Sequence, residues 1–124
     1  MIPFLDPEWV DALDAAAQDV RAPAGDRLVV QQVVRTEAGE TRYHLVVEDG
    51  RIRVRAGQAP APDVTFTQAY DVAAALSRGE LTAQQALSEG RLRVSGDLAG
   101  LARRAGALAA VGDLFAAVRS RTTY

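Results

Sequence analysis

Apolar and polar positions recur at two different periods along this chain, and the switches between them mark its elements. Trp9, Val10, Leu13, Ala16, Ala17 and Val20 fall on one face at helical spacing, while Asp11, Asp14, Gln18 and Asp19 face away. Asp6-Pro7-Glu8 supplies a helix start: a capping carboxylate, a proline at the first position and an acid beside the positive end of the dipole. Ala22-Pro23-Ala24-Gly25 ends that helix. From Arg27 to Ala56 the period becomes two, and turns at residues 37–40 and 48–51 divide the stretch into a three-stranded meander. Asp49-Gly50 suits a two-residue type I′ turn, and counting outward from it sets the register. Val47 then faces Ile52, Leu45 faces Val54 and Tyr43 faces Ala56 on an apolar side. Glu48 faces Arg51, Val46 faces Arg53 and His44 faces Arg55 on a mostly polar one. The first strand of the three fits less cleanly. With Leu28, Val30 and Val34 inside, Gln32 also points to the covered side, so either the register shifts or a buried amide must find a partner. Gln32 is thereby a candidate for orienting a ligand.

After the loop Gly57-Gln58-Ala59-Pro60-Ala61-Pro62, Val64 and Phe66 continue the inner face, with Thr65 and Thr67 outside. Thr67 is placed to cap a helix containing Tyr70, Val72, Ala73 and Leu76, which Gly79 closes. Thr82 and Gln85 form a capping box for a shorter helix closed by Gly90. Leu92 and Val94 then face inward on another strand, so the connection from Phe66 to Leu92 is helical, as a crossover between parallel or next-nearest strands requires. Asp97 caps a helix whose stripe is Leu98, Leu101, Ala105 and Leu108, and Val111, Leu114, Phe115 and Val118 continue at i, i+3, i+4 and i+7. Gly112-Asp113 either breaks this run or is tolerated within it. Residues 99–117 are dominated by Ala and Gly, which fits a close-packed helix or a hollow interior. The whole divides into an N-terminal helix and loop (1–26), a sheet with a helical connection (27–95) and C-terminal helices (96–124), expected to form one domain over residues 1–124.

Composition removes chemistry more than it supplies it. The chain has no Cys and one His, so thiolate chemistry and a multi-histidine metal site are excluded within one chain, and no cofactor is expected. All 14 basic residues are Arg, yet the net charge of −2 gives no pull towards nucleic acid. No segment approaches the roughly 20 apolar residues of a membrane span, and the N-terminus has neither a basic lead nor a signal-length apolar run, so the cytoplasm is the expected compartment and no stable membrane insertion is foreseen. Arg51, Arg53 and Arg55 read as a solvated stripe balanced by Glu48 and cross-strand neighbours. Most carboxylates have turn or cap positions; Asp63 alone lies at a strand start on the projected inner side. Tyr43 and Tyr70 could donate hydrogen bonds into a cavity. No nucleophile with its base is evident, and the glycines form no phosphate-binding spacing.

In order and spacing, YHLVVEDGRIRV, APDVTFTQAYDVAAALSRGELTAQQAL and EGRLRVSGDLAGL together resemble the sterol carrier protein type two family, over roughly Arg27 to Val118. The matching pieces are a hairpin ending in Asp-Gly, a Pro-Asp-Val-Thr strand start, Gly-Glu-Leu after the helix, and Gly-x-Leu-x-Val-x-Gly-Asp leading into another helix. The resemblance implies an α+β fold: a five-stranded mixed, mainly antiparallel β-sheet covered on one face by helices, with a hydrophobic tunnel between them that binds sterols, fatty acyl chains or other lipids. By position, Leu76, Leu87, Leu101, Leu108, Leu114, Phe115 and Val118 would wall that tunnel, with Phe66 and Val94 at its floor. The family has no shared catalytic residues and often sits on larger enzymes; this chain's RSRTTY tail lacks a peroxisomal Ser-Lys-Leu ending.

The leading expectation is therefore non-catalytic binding or carriage of a hydrophobic small molecule or lipid, the C-terminal helix forming a movable wall. The alternatives are an interaction module that forms a homodimer or docks on a partner enzyme, and a small enzyme using Asp63 or Tyr70 as acid or base on a hydrophobic substrate.

Overall fold

Asp49 and Gly50 both hold positive φ, 53° and 74°, as a type I′ hairpin requires, and the strands on either side pair in the register counted from that turn. A computed structural model describes residues 1–124. In chain order its elements are β1 (Ile2–Pro3), α1 (Pro7–Ala16), β2 (Leu28–Thr36), β3 (Gly39–Glu48), β4 (Arg51–Ala56), β5 (Val64–Ala69), α2 (Tyr70–Arg78), α3 (Ala83–Ser88), β6 (Leu92–Gly96), α4 (Leu98–Arg103), α5 (Ala105–Val118) and β7 (Thr122–Thr123). Five strands form one mixed sheet in the order β4-β3-β2-β5-β6, antiparallel except for the central β2–β5 pair. The helices cover the face that carries Leu28, Val30, Val34, Leu45, Val47 and Val54, all buried. No helix is long and apolar enough to cross a membrane.

The parallel pair is not where the sequence places a crossover. The helical connection after β5 leads to β6, its antiparallel neighbour, and the strands that run parallel are β2 and β5. They are reached by the loop of residues 57–63, which passes from edge strand β4 to the far side of β2. That loop lies on the outer face of the sheet. It bonds Gln31 and the Val29 backbone, and Val29, Gln31 and Val33 are all buried, so the outer face is covered at its centre. Gln31 is the fastener. Its Oε1 accepts the Ala59 N–H at 2.7 Å, and its Nε2 reaches the carbonyls of Tyr43 (3.1 Å), Gln32 (3.2 Å) and Gly57 (3.3 Å). His44 Nδ1 adds a contact to the Gly57 carbonyl at 3.0 Å.

Other local expectations shift for identifiable reasons. Thr67 caps nothing: β5 continues through Ala69, which is the N-cap of α2 without any side-chain bond. Asp14 does not face away. Its Oδ1 accepts the Val54 N–H at 2.8 Å and its Oδ2 meets Arg55 at 2.9 Å, so α1 occupies an edge of β4 that would otherwise offer free backbone donors. Asp63 leaves the inner side, because its carboxylate accepts the Val29 N–H at 2.7 Å while its carbonyl accepts from Asp97 at 2.8 Å. Gly96 permits that last contact: its φ is 106°, and a Cβ there would collide with the Asp63 carbonyl. The C-terminal helical run breaks at Arg104 rather than at Gly112-Asp113, which α5 absorbs. The break turns Leu98 outward, 54% exposed, and leaves Ala105 exposed as well. Asp97 and Thr82 cap α4 and α3 as the sequence predicts, Thr82 with the complete reciprocal box.

Trp9 and Leu13 of α1 are fully buried and meet Leu114 of α5 in the core. Trp9 stands edge-on to Phe4 (4.8 Å) and Tyr43 (5.4 Å) and stacks at 6.2 Å with Phe115. The chain ends join this cluster. β1 and β7 pair in parallel, the Phe4 N–H bonds the Thr123 carbonyl at 2.8 Å, and the Tyr124 ring packs on Phe4 at 5.0 Å. Tyr124 Oη also meets Ser77 Oγ at 2.6 Å, and Arg78 lies over its ring.

Candidate ligand-binding cavity

The inner face of β2, β5 and β6 and the helices above it do not close completely. Between them lies a cavity of about 260 Å³. Phe66 and Leu92 rise from the sheet, Ala73 and Leu76 come from α2, and Leu108 and Phe115 descend from α5. From α5 the lining is Leu108, Val111, Phe115 and Gly112, the last of which brings no side chain at all. An apolar void costs stability in proportion to its volume, and a molecule filling it restores the lost contacts. On the exposed side the rim is formed by Leu81, Thr82 and Ala83 at the start of α3 and by Arg119 after α5, whose Nε donates to the Ser77 carbonyl at 2.8 Å.

The floor is polar. Gln32 and Gln68, each 6% exposed, project from neighbouring strands, and Gln68 Nε2 donates to Gln32 Oε1 at 2.9 Å. Thus the amide that strains the alternation of β2 is buried and partnered, with no shift in register. Tyr43, 3% exposed, stands directly across from Gln32 on β3. Its burial raises the hydroxyl pKa far above the ordinary tyrosine value, so the group stays neutral and able to donate. The Gln32–Gln68 bond leaves one amide nitrogen and one amide oxygen without a partner in the protein, and the Tyr43 hydroxyl has none. Trp9 Nε1 and Arg104 Nη1 are the two polar side-chain atoms sealed in without a partner; the free atoms of Gln32, Gln68 and Tyr43 are instead open to the cavity their residues border.

Of the residues expected to build a binding site, Gln32, Phe66, Leu76, Leu108 and Phe115 converge on this cavity. Leu114 and Val118 are fully buried in the adjoining core without bordering it. Val94 and Leu101 are half-buried away from it, and Leu87 is 45% exposed on α3. Tyr70 packs on Phe4 outside the cavity, and neither Asp63 nor His44 borders it. Sequence reasoning missed Gln68, although the period-two run Val64, Phe66, Gln68 puts it on the inner face, and it missed Phe4, which precedes the first periodic segment.

Comparison with known proteins agrees with the fold. The profile of the SCP-2 sterol transfer family matches residues 10–109. Sterol Carrier Protein 2 Like 2 from Aedes aegypti is 27% identical in its crystal structure, with a TM-score of 0.63 over 80% of this chain and 92% of that one. The palmitated form of the Aedes aegypti protein in solution is 26% identical, with a TM-score of 0.64 over 86% of this chain and 89% of that one. A conserved hypothetical protein from Thermus thermophilus shares the fold at 18% identity, with a TM-score of 0.73 over 98% of this chain and 91% of that one. No curated protein sequence matches the chain.

Proposed function

Because the chain belongs to the SCP-2 sterol transfer family, we propose that its cavity binds and carries a hydrophobic small molecule of the fatty acyl or sterol class without transforming it. The observation that carries this reading is the apolar space left between the sheet and the Ala-rich α5, bordered by Leu76, Leu108 and Phe115. The palmitated state of the Aedes aegypti relative supports an acyl chain as one occupant. Neither Asp63 nor Tyr70 borders the space, which speaks against the acid–base reading. Native mass spectrometry of the purified protein, followed by solvent extraction, should release acyl or sterol-like molecules. A protein that carries nothing and also fails to take up a fluorescent fatty acid would refute the reading. Phe115→Asp should abolish uptake, since it sets an unpaired carboxylate against Trp9 and the cavity wall.

The outward placement of Leu87 and Leu98 on α3 and α4 favours a second reading, in which the helical side also docks on a partner enzyme or a second copy. Sedimentation across a concentration series tests its simplest form; a monomer throughout removes the homodimer.

A further inference from the structure

The polar floor asks for more than a hydrocarbon. Gln32, Gln68 and Tyr43 are each more than nine-tenths buried, yet they keep an amide donor, an amide acceptor and a neutral hydroxyl unpartnered beneath apolar walls. Groups left unpaired in an apolar site lose their hydration with nothing in return, so a purely hydrocarbon occupant would strand them. An occupant that both donates and accepts would satisfy them. The occupant's head is also constrained in charge. No carboxylate borders the cavity, and the one cation that does, Arg119, is at the exposed rim and engaged with the Ser77 carbonyl. A carboxylate or ammonium driven to the floor would therefore be desolvated with no countercharge.

We propose that the Gln32–Gln68–Tyr43 cluster receives, head inward, an uncharged group that both donates and accepts hydrogen bonds (a hydroxyl, a primary amide or a protonated carboxyl) at the end of an alkyl chain. The proposal rests on the carriage reading above and specifies its ligand. The 260 Å³ cavity takes the head and the first part of such a chain, and a longer chain continues outward past Leu81 and Gly112. Reversing the oxygen and nitrogen of both amides exchanges their roles and leaves the same donor and acceptor free.

Octan-1-ol and heptyl methyl ether test this directly, because they contain the same nine heavy atoms and only the alcohol donates. The 124-residue chain labelled with nitrogen-15 is titrated with each, affinity being read from backbone amide shifts and head position from the side-chain amide signals of Gln32 and Gln68. The alcohol should move both side-chain signals. The ratio of alcohol to ether affinity should fall about tenfold in Gln32→Leu/Gln68→Leu, with ether binding retained. If that double variant does not fold, the side-chain signals of the unmodified protein decide alone. Binding of both probes with unmoved side-chain amides would overturn the inference and leave the carriage reading standing. Octanoate at pH 8 shifting those amides as strongly as octanol would overturn the requirement for an uncharged head. If neither these probes nor a long-chain fluorescent fatty acid binds, the carriage reading fails and the inference fails with it.

Discussion

Gln31 and Gln32 are the same residue one position apart on β2, and both are buried. On the outer face Gln31 uses its amide fully, holding the 57–63 loop through the Ala59 and Gly57 backbone and tying itself to the Tyr43 carbonyl of β3. On the inner face Gln32 has one side-chain partner, Gln68, and an unused amide group at a cavity. The difference lies in what surrounds them. A backbone segment fixes its donors and acceptors at the moment of folding, so an amide bonded to it belongs to the scaffold. An amide whose remaining valences meet empty space belongs to whatever fills that space. Burial alone therefore does not distinguish a structural polar group from a recognition element; the identity of the partners does.

The contrast can be broken most forcefully at Gln31. Gln31→Leu strands the Ala59 N–H and loosens the loop that lets β5 lie beside β2, and it should cost about 3 kcal/mol in urea denaturation, or a fall of roughly 10 °C in Tm. A loss below about 1 kcal/mol would mean that the loop is held by something else. Asp14→Ala, which frees the Val54 N–H at the edge of β4 and releases Arg55, should cost about 1.5 kcal/mol and speed hydrogen exchange at Val54. It measures one scaffold-type bond where Gln31 makes several. Thr82→Ala removes the capping box of α3 and should cost about 1 kcal/mol, visible as a lower urea midpoint with an unchanged slope. The smallest effects belong to the cavity floor. The paired replacement Gln32→Leu/Gln68→Leu, which removes both partners of their bond at once, and Tyr43→Phe should each change stability by no more than about 0.5 kcal/mol in the unliganded protein, because they delete groups with unsatisfied valences and strand no partner. A loss in either variant as large as that of Gln31→Leu would erase the distinction drawn between the two faces.

What the sequence revealed was mostly local. Asp49-Gly50 dictates its turn through positive φ, and the turn dictates the pairing of Tyr43–Glu48 with Arg51–Ala56, so that hairpin could be counted out residue by residue. Thr82 and Asp97 act within three residues of themselves and were equally plain. The parallel β2–β5 pair was hidden because residues 57–63 carry no periodicity, and their fastening depends on Gln31, 28 residues from Ala59. The candidate site divides in the same way. Its apolar wall at Leu76, Leu108 and Phe115 follows from helical spacing, whereas the Gln32–Gln68 bond joins residues 36 apart and needed the sheet order before it could be seen. Leu98 fits the helical stripe and still turns outward, as does Leu87, which the family resemblance placed on the tunnel wall, since spacing fixes a face relative to its own helix and not the rotation of that helix over the sheet.

The pairing of the chain ends reaches further than its two short strands suggest. Phe4 borders the cavity, and beside Trp9 and Tyr70 it is held by the Thr123 carbonyl and the Tyr124 ring. The last two residues thus shape a chamber they never touch. For anyone handling the protein this is a matter of where to attach a label: a tag fused after Tyr124 pulls on one wall of the chamber, whereas one placed before the exposed Met1 leaves the clasp free to close.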